Sequence, residues 1–237
     1  MQLTSLTSLL NNNKHHFHPV VKFDATTDKL LSFDFTSGNK ELTNDILSDT
    51  NRFTTWVNEK LQEVNARYGI GGYKEQRTVY SISKVFDGDK PGEEPRRLHL
   101  GTDIWGKPHT AVMAPLDGIV HSFAFNNRFG DYGATIILSH LLNGVSFYTL
   151  YGHLSLNSIK NIQEGDRIEK GDVFGEFGIP SENGSWPPHL HFQIISNIGE
   201  WKGDYPGVCK FSEKEKWLAN SPDPDIILQL NQFTSSV

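Results

Sequence analysis

Two histidine patterns in this chain could do chemistry: His99-Leu-Gly-Thr-Asp103 and His189-Leu-His191. His189 and His191 stand two apart in an apolar run that reads as a strand. Both imidazoles therefore emerge on one face, with Cα atoms roughly 6–7 Å apart. They can reach one site, one ring as a metal ligand and the other beside it. His99 and Asp103 would lie about 13 Å apart along a regular strand, too far to share one zinc ion. Gly101, Gly106 and Pro108 argue against a helix that would make them neighbours. A bend or bulge at Gly101 resolves the conflict, because glycine lets the backbone turn both side chains inward. Two neutral imidazoles and one carboxylate around zinc leave a fourth position open to water, the pattern of a catalytic site. Zinc brings that water toward pKa ~7 and polarises a substrate carbonyl. No HExxH motif supplies a glutamate base, and histidine can take the proton near neutral pH.

The other histidines, of ten in all, have weaker claims. His16-Phe17-His18 repeats the HxH spacing but sits with His15 in a polar stretch that reads as solvated. His140 ends a strand and reads as structural; His109 and His121 read as surface or packing residues. The run from Gly72 to Arg77 reads as a solvated turn, or as a segment along a groove in which Arg77 meets a substrate carboxylate. Cys209 has no intramolecular partner and reads as an inert buried thiol.

The elements that must hold these residues fall into three segments: a mixed α+β region over 1–97, a strand-rich core over 98–197, and a C-terminal extension over 198–237 that packs on the core. In the first, Val20–Asp24 and Lys29–Phe35 read as two strands around a polar turn. Phe53, Trp56, Val57, Leu61, Val64 and Tyr68 recur at spacings of three and four, predicting a helix over about 50–68 with Gly69 at its end. Arg77–Phe86 reads as a strand and Asp87–Pro95 as a loop. In the core, Ala134–His140 and Val145–Tyr151 flank Asn143-Gly144, the strongest short hairpin signal. Gly118–Phe125, Asp172–Phe177 and His189–Ile195 are further strands, with turns at the Gly-Asp pairs 165–166 and 171–172. In the extension, Ser212 and Glu215 form a capping-box pattern before a short helix stopped ahead of Pro222. The fold class expected is mainly β, an antiparallel sheet roll or sandwich with a groove, plus an α+β N-terminal region and a short C-terminal helix.

Together the motifs resemble a known family. HLGTD at 99–103, YGHL at 151–154 and PHLHF at 188–192 are similar to the three signature segments of the lysostaphin/LytM-type zinc metallopeptidases. Between them, APLDGIV at 114–120, GDYGATIIL at 130–138 and EGDRIEKGDVFG at 164–175 resemble the family's usual wording in order and spacing. The resemblance implies one zinc ion per chain held by His99, Asp103 and His191, with His153 and His189 as an unliganded catalytic pair. It implies a small antiparallel sheet with a groove above it, and substrates that are short peptides, chiefly peptidoglycan cross-links. Tyr151 is either a groove residue or a packing one. The chain departs from the family at His109-Thr-Ala-Val, at Trp186-Pro187-Pro188 before the last motif, and at Gln193, where glutamate is frequent. Trp186 either walls the cleft or covers the sheet edge, with the cleft favoured.

Composition bounds what such a site could serve. The 237 residues carry 22 Lys+Arg against 28 Asp+Glu, a net charge of -6 that argues against a nucleic-acid partner. A chain of this length buries roughly 70–75% of its unfolded surface and needs no disulfide to fold. Apolar runs of four to five residues are far short of the ~18 that cross a bilayer. Met1 to Leu10 has no positive n-region, so the expected location is the cytoplasm, or the cell envelope if the protein is exported by another route. The leading expectation is a zinc-dependent endopeptidase acting on peptidoglycan-type peptides. The alternatives are an intracellular zinc amidohydrolase acting on a small peptide or amide, and a non-catalytic module that keeps the groove to bind a partner.

Overall fold

The strand alternation of the middle segment folds into the centre of a large sheet. The computed structural model describes residues 5–88, 90 and 92–235. Their strands are β1 (Leu30–Ser32), β2 (Tyr68–Gly71), β3 (Leu98–His99), β4 (Thr102–Trp105), β5 (Ala111–Met113), β6 (Gly118–Asn126), β7 (Gly133–Leu142), β8 (Val145–Leu154), β9 (Arg167–Ile168), β10 (Val173–Glu176), β11 (His189–Ile195), β12 (Val208–Cys209) and β13 (Thr234–Ser235). Nine of them form one sheet in the order β13-β1-β2-β4-β11-β8-β7-β6-β9, while β10 pairs with β5 and β12 with β3. The fold is mainly β, and all pairings are antiparallel except those of β1 with β2 and β13. The helices are short: α1 (Leu6–Asn12), α2 (Asn44–Leu47), α3 (Thr50–Glu63), α4 (Lys214–Asn220) and α5 (Asp225–Leu228). None is long and apolar enough to cross a membrane.

Asn143 and Gly144 both take positive φ, 49° and 81°, as a two-residue hairpin turn between β7 and β8 requires. The central strands are covered on both faces. Ala134, Ile136 and Leu138 of β7 join Tyr151, Leu190 and Phe192 in the main core. Ile137 joins Leu150 and Ile195 in a second cluster. That double burial explains why Ile136, Ile137 and Leu138 of β7 are consecutive apolar residues.

The N-terminal region differs from its expected form. Helix α3 presents Phe53, Trp56, Val57 and Leu61 to a cluster with Phe33, Phe35, Trp105 and Trp186. It ends at Glu63, earlier than residue 68. Asn65, at φ 53°, takes the left-handed position, donating to the Gln62 carbonyl while Ala66 donates to Leu61. These are the two bonds of a Schellman end. Tyr68 and Gly69 belong to β2 instead, where a Cβ on Gly69 would lie 2.0 Å from the Phe33 ring. Val20–Asp24 forms no strand: Val20 and Val21 are both buried, which defeats alternation, and the Val20 carbonyl accepts from Met113. Lys29–Phe35 contracts to β1.

Arg77–Phe86 is likewise no strand but two 3-10 turns, Val79–Ile82 and Lys84–Phe86, because adjacent Val79 and Tyr80 are both buried. The described part of Asp87–Pro95 is irregular, as expected, with residues 89 and 91 outside the described residues, as are residues 1–4 of the leader reading. The capping box does not form. The Ser212 backbone N–H goes to Glu94, a 3-10 turn occupies Phe211–Glu213, and α4 then stops ahead of Pro222.

Candidate metal centre

Between His99 and Thr102 the chain leaves β3, which pairs with β12, and enters β4 in the main sheet. Gly101 is the bend. Close approach makes glycine necessary there, since a Cβ would stand 2.4 Å from the His191 ring. On β4 and β11 Asp103 is directly opposite His191, and on β8 Gly152 is opposite the same histidine. The register thus brings HLGTD, YGHL and PHLHF to one place. His99, Asp103, His191 and His189 are all 2% exposed or less, and His153 is 6% exposed.

Proton positions follow from the hydrogen-bond partners. His99 Nδ1 donates to the Gly72 carbonyl at 3.1 Å, which leaves Nε2 with a bare lone pair. Gln193 donates its amide to the Pro206 carbonyl and to Ser221, so its Oε1 must accept from His191 Nε2 at 3.0 Å, and His191 Nδ1 is bare in turn. These two nitrogens face each other at 2.9 Å, with Asp103 Oδ1 at 3.1 Å from His191 and 3.4 Å from His99. Three lone-pair atoms with no proton among them repel unless a cation lies between them. Tetrahedral bonds of ~2.0–2.1 Å place ligand atoms about 3.3 Å apart, so the set fits one zinc ion. Burial alone would raise the Asp103 pKa; its neighbours His99, Arg77 and His191 outweigh it and hold the carboxyl well below its usual range.

His153 and His189 stand beside this cluster with ring centroids 4.0 Å apart. Each donates Nδ1–H to a backbone carbonyl, His153 to Asn183 at 2.8 Å and His189 to Pro187 at 2.7 Å, so each keeps Nε2 free as a base. Burial pushes the His153 pKa well down, helped by the nearby His189 charge, and pushes His189 to about 4. His189 also stacks on Trp105, centroid distance 3.9 Å. His153 is held at φ 62°, costly for a residue with a Cβ, by bonds from its N–H to Tyr132 and from Gly178 to its carbonyl.

Arg77 is not a solvated turn residue but part of the wall of the cavity over the site. It is 2% exposed and ion-paired with Asp103 and Glu75. Trp186 lines the cavity over the site, whereas Tyr151 packs in the core against Phe174 and Phe192. His140 is structural, bonded to the Asp117 carbonyl and the Thr149 hydroxyl. His16 is exposed, and the His18 ring bonds its neighbour's carbonyl, Pro19, while its backbone N–H donates to the Pro115 carbonyl. Burial raises the Cys209 thiol to about 12, which suits an inert residue. Sequence reasoning missed Tyr132, whose hydroxyl lies 3.4 Å from His191 Nε2, and the stacking of Trp105. It also missed what Gln193 does for His191. Only the glutamine's place beside the HLH strand pointed to it.

A cavity of about 250 Å³ opens over the histidines, with Phe35, Phe53 and Tyr80 of the N-terminal region among its walls. Residues 97–202, which contain all three motifs, match the model of peptidase family M23. This stretch is an M23 domain. The chain carrying it is 35% identical over 147 residues to the L-Ala–D-Glu endopeptidase of Bacillus subtilis (strain 168), covering 59% of this chain and 43% of that protein. It is 30% identical over 152 residues to an uncharacterized metalloprotease of Haemophilus influenzae, covering 58% and 29%. The chain thus spans less than half the length of these two relatives. Among solved structures, the catalytic domain of lysostaphin from Staphylococcus simulans is 26% identical, covering 74% of this chain and 97% of that one, with a TM-score of 0.41. Arg77, Glu75 and Tyr80 lie outside the M23 match.

Proposed function

We propose that this chain is a zinc-dependent peptidase in which His99, Asp103 and His191 hold the metal and His153 and His189 move the proton. One observation carries the reading: three proton-free ligand atoms converge at 2.9–3.4 Å in a buried site beside two imidazoles with free Nε2 atoms. Bound there, zinc would supply Lewis acidity toward a water and a peptide carbonyl. Either His153 or His189 accepts the attacking water's proton at Nε2, since burial keeps both rings neutral. Once protonated, that ring donates to the departing amine. The backbone carbonyls of Asn183 and Pro187 fix both tautomers throughout. The unbroken set of five side chains favours catalysis over a binding-only module.

The name of the Bacillus subtilis relative supports a peptidoglycan-type peptide as substrate. The cavity favours a second reading. At about 250 Å³, it lies below the ~300–1,000 Å³ usual for small-molecule sites, and its aromatic wall suits a short soluble peptide or amide. The test incubates zinc-loaded protein with insoluble cell-wall sacculi, with soluble muropeptides, and with ordinary dipeptides, and measures released amine with and without chelator. Chelator-sensitive release from sacculi or muropeptides supports the first substrate class, and release from dipeptides alone supports the second. Zinc-loaded protein that cleaves none of them contradicts a peptidase and leaves the binding module.

A further inference from the structure

We propose that Arg77 fixes how Asp103 meets the metal: by holding Oδ2, it restricts the carboxylate to one ligand oxygen. This rests on the metal-centre reading above. The two oxygens of Asp103 have separate partners. Oδ1 faces His99 and His191, whereas Oδ2 accepts from Arg77 Nη1. The guanidinium cannot swing away. Its Nε donates to Glu75 Oε2 at 2.6 Å, Nη1 also donates to the Tyr80 hydroxyl at 3.0 Å, and its carbon lies 5.1 Å over the Phe35 ring. Glu75 is held in turn, its Oε1 accepting from the Phe35 N–H at 3.0 Å. Gly72 closes the far side, where a Cβ would come within 1.9 Å of Arg77 Nη2 and 2.7 Å of His99 Nδ1.

A carboxylate with both oxygens free can bind a cation through one or both. With Oδ2 committed, Asp103 offers one oxygen, the set remains His-Asp-His with three donor atoms, and the fourth position stays open. Arg77 is thus a positioning residue. Its supports Phe35, Gly72, Glu75 and Tyr80 all precede residue 97, so the N-terminal region is part of the centre's outer shell although it lies outside the M23 match.

Cobalt(II) in place of zinc reports coordination number, because four-coordinate cobalt absorbs visible light more strongly than five-coordinate cobalt. Arg77→Met frees Oδ2 but strands the buried Glu75 charge. The double variant Glu75→Gln/Arg77→Met removes both ends of that pair and guards against misfolding. Both variants, with far-UV circular dichroism unchanged, are expected to lose visible cobalt intensity as Asp103 becomes bidentate. Spectra that overlay the wild type overturn the proposal. Failure of the wild type itself to take up cobalt would instead overturn the metal-centre reading on which it rests.

Discussion

His153 and His189 face each other across 4.0 Å, and each commits its Nδ1 proton to a backbone carbonyl. Neither ring can turn without breaking a buried hydrogen bond, so the two free Nε2 atoms are fixed beside the His99-Asp103-His191 cluster. The arrangement separates two jobs that histidine can do. The cluster has bare atoms pointing at one another, which asks for a cation, while the pair has bare atoms suited to a proton.

That division predicts a split between metal binding and turnover. His189→Ala and His153→Ala should each retain zinc with near wild-type affinity and lose about 10²–10⁴-fold in turnover. Calorimetry paired with an amine-release assay checks both halves. A His189→Ala protein that hydrolyses substrate normally has lost nothing catalytic, and the role given to that ring is wrong.

The backbone at His153 gives a stability prediction independent of the substrate. At φ 62° any Cβ is strained, by about 1–2 kcal/mol. His153→Gly and His153→Ala remove nearly the same side chain, but only alanine keeps the strain. Urea denaturation should find the glycine variant about 1 kcal/mol more stable. An alanine variant of equal or greater stability would show that the left-handed backbone is not costly here.

Gln193 tests what orients the His191 ring. Its Oε1 accepts the hydrogen bond from His191 Nε2–H and so leaves Nδ1 bare toward Asp103 and His99. Gln193→Leu removes the acceptor from a fully buried position, and zinc affinity should fall about 10–100-fold. Unchanged affinity would mean that the sheet register alone orients the ring.

Much of this site was legible in the sequence because spacing along a strand fixes facing. HLH placed two imidazoles on one side of β11, and the geometric conflict between His99 and Asp103 required the bend at Gly101. The Asn143-Gly144 hairpin was equally plain, since few residue pairs tolerate two positive φ angles. The N-terminal region was harder. Arg77 in a Gly-rich, charged run looks solvated, and only the distant pairing of β2 with β4, which sets Gly71 opposite Asp103, draws its segment onto that carboxylate. Asn65 rather than Gly69 ended α3 for a related reason: Gly69 was needed for the approach of Phe33, which lies 36 residues earlier, a contact that no local pattern signals.

His140 supplies a pH prediction away from the site. It is buried and bonded to Asp117 and Thr149, and burial holds its pKa at about 4 against 6.5 in the unfolded chain. Between those values the unfolded state binds one proton more, so its contribution is present above pH 6.5 and is lost as the pH falls toward 4. The full loss is about 3 kcal/mol. Unfolding free energies of His140→Gln should therefore depend on pH less steeply, by about 1.4 kcal/mol per pH unit in this window. Parallel slopes in variant and wild type would place the titrating group elsewhere.

The central claim is that His99, Asp103 and His191 hold one zinc ion. Calorimetric titration of metal-stripped protein with zinc, beside the His191→Ala variant, tests it most directly. One tight site per chain in the wild type that vanishes in the variant is the predicted result. No binding, or binding that survives the substitution unchanged, would contradict it.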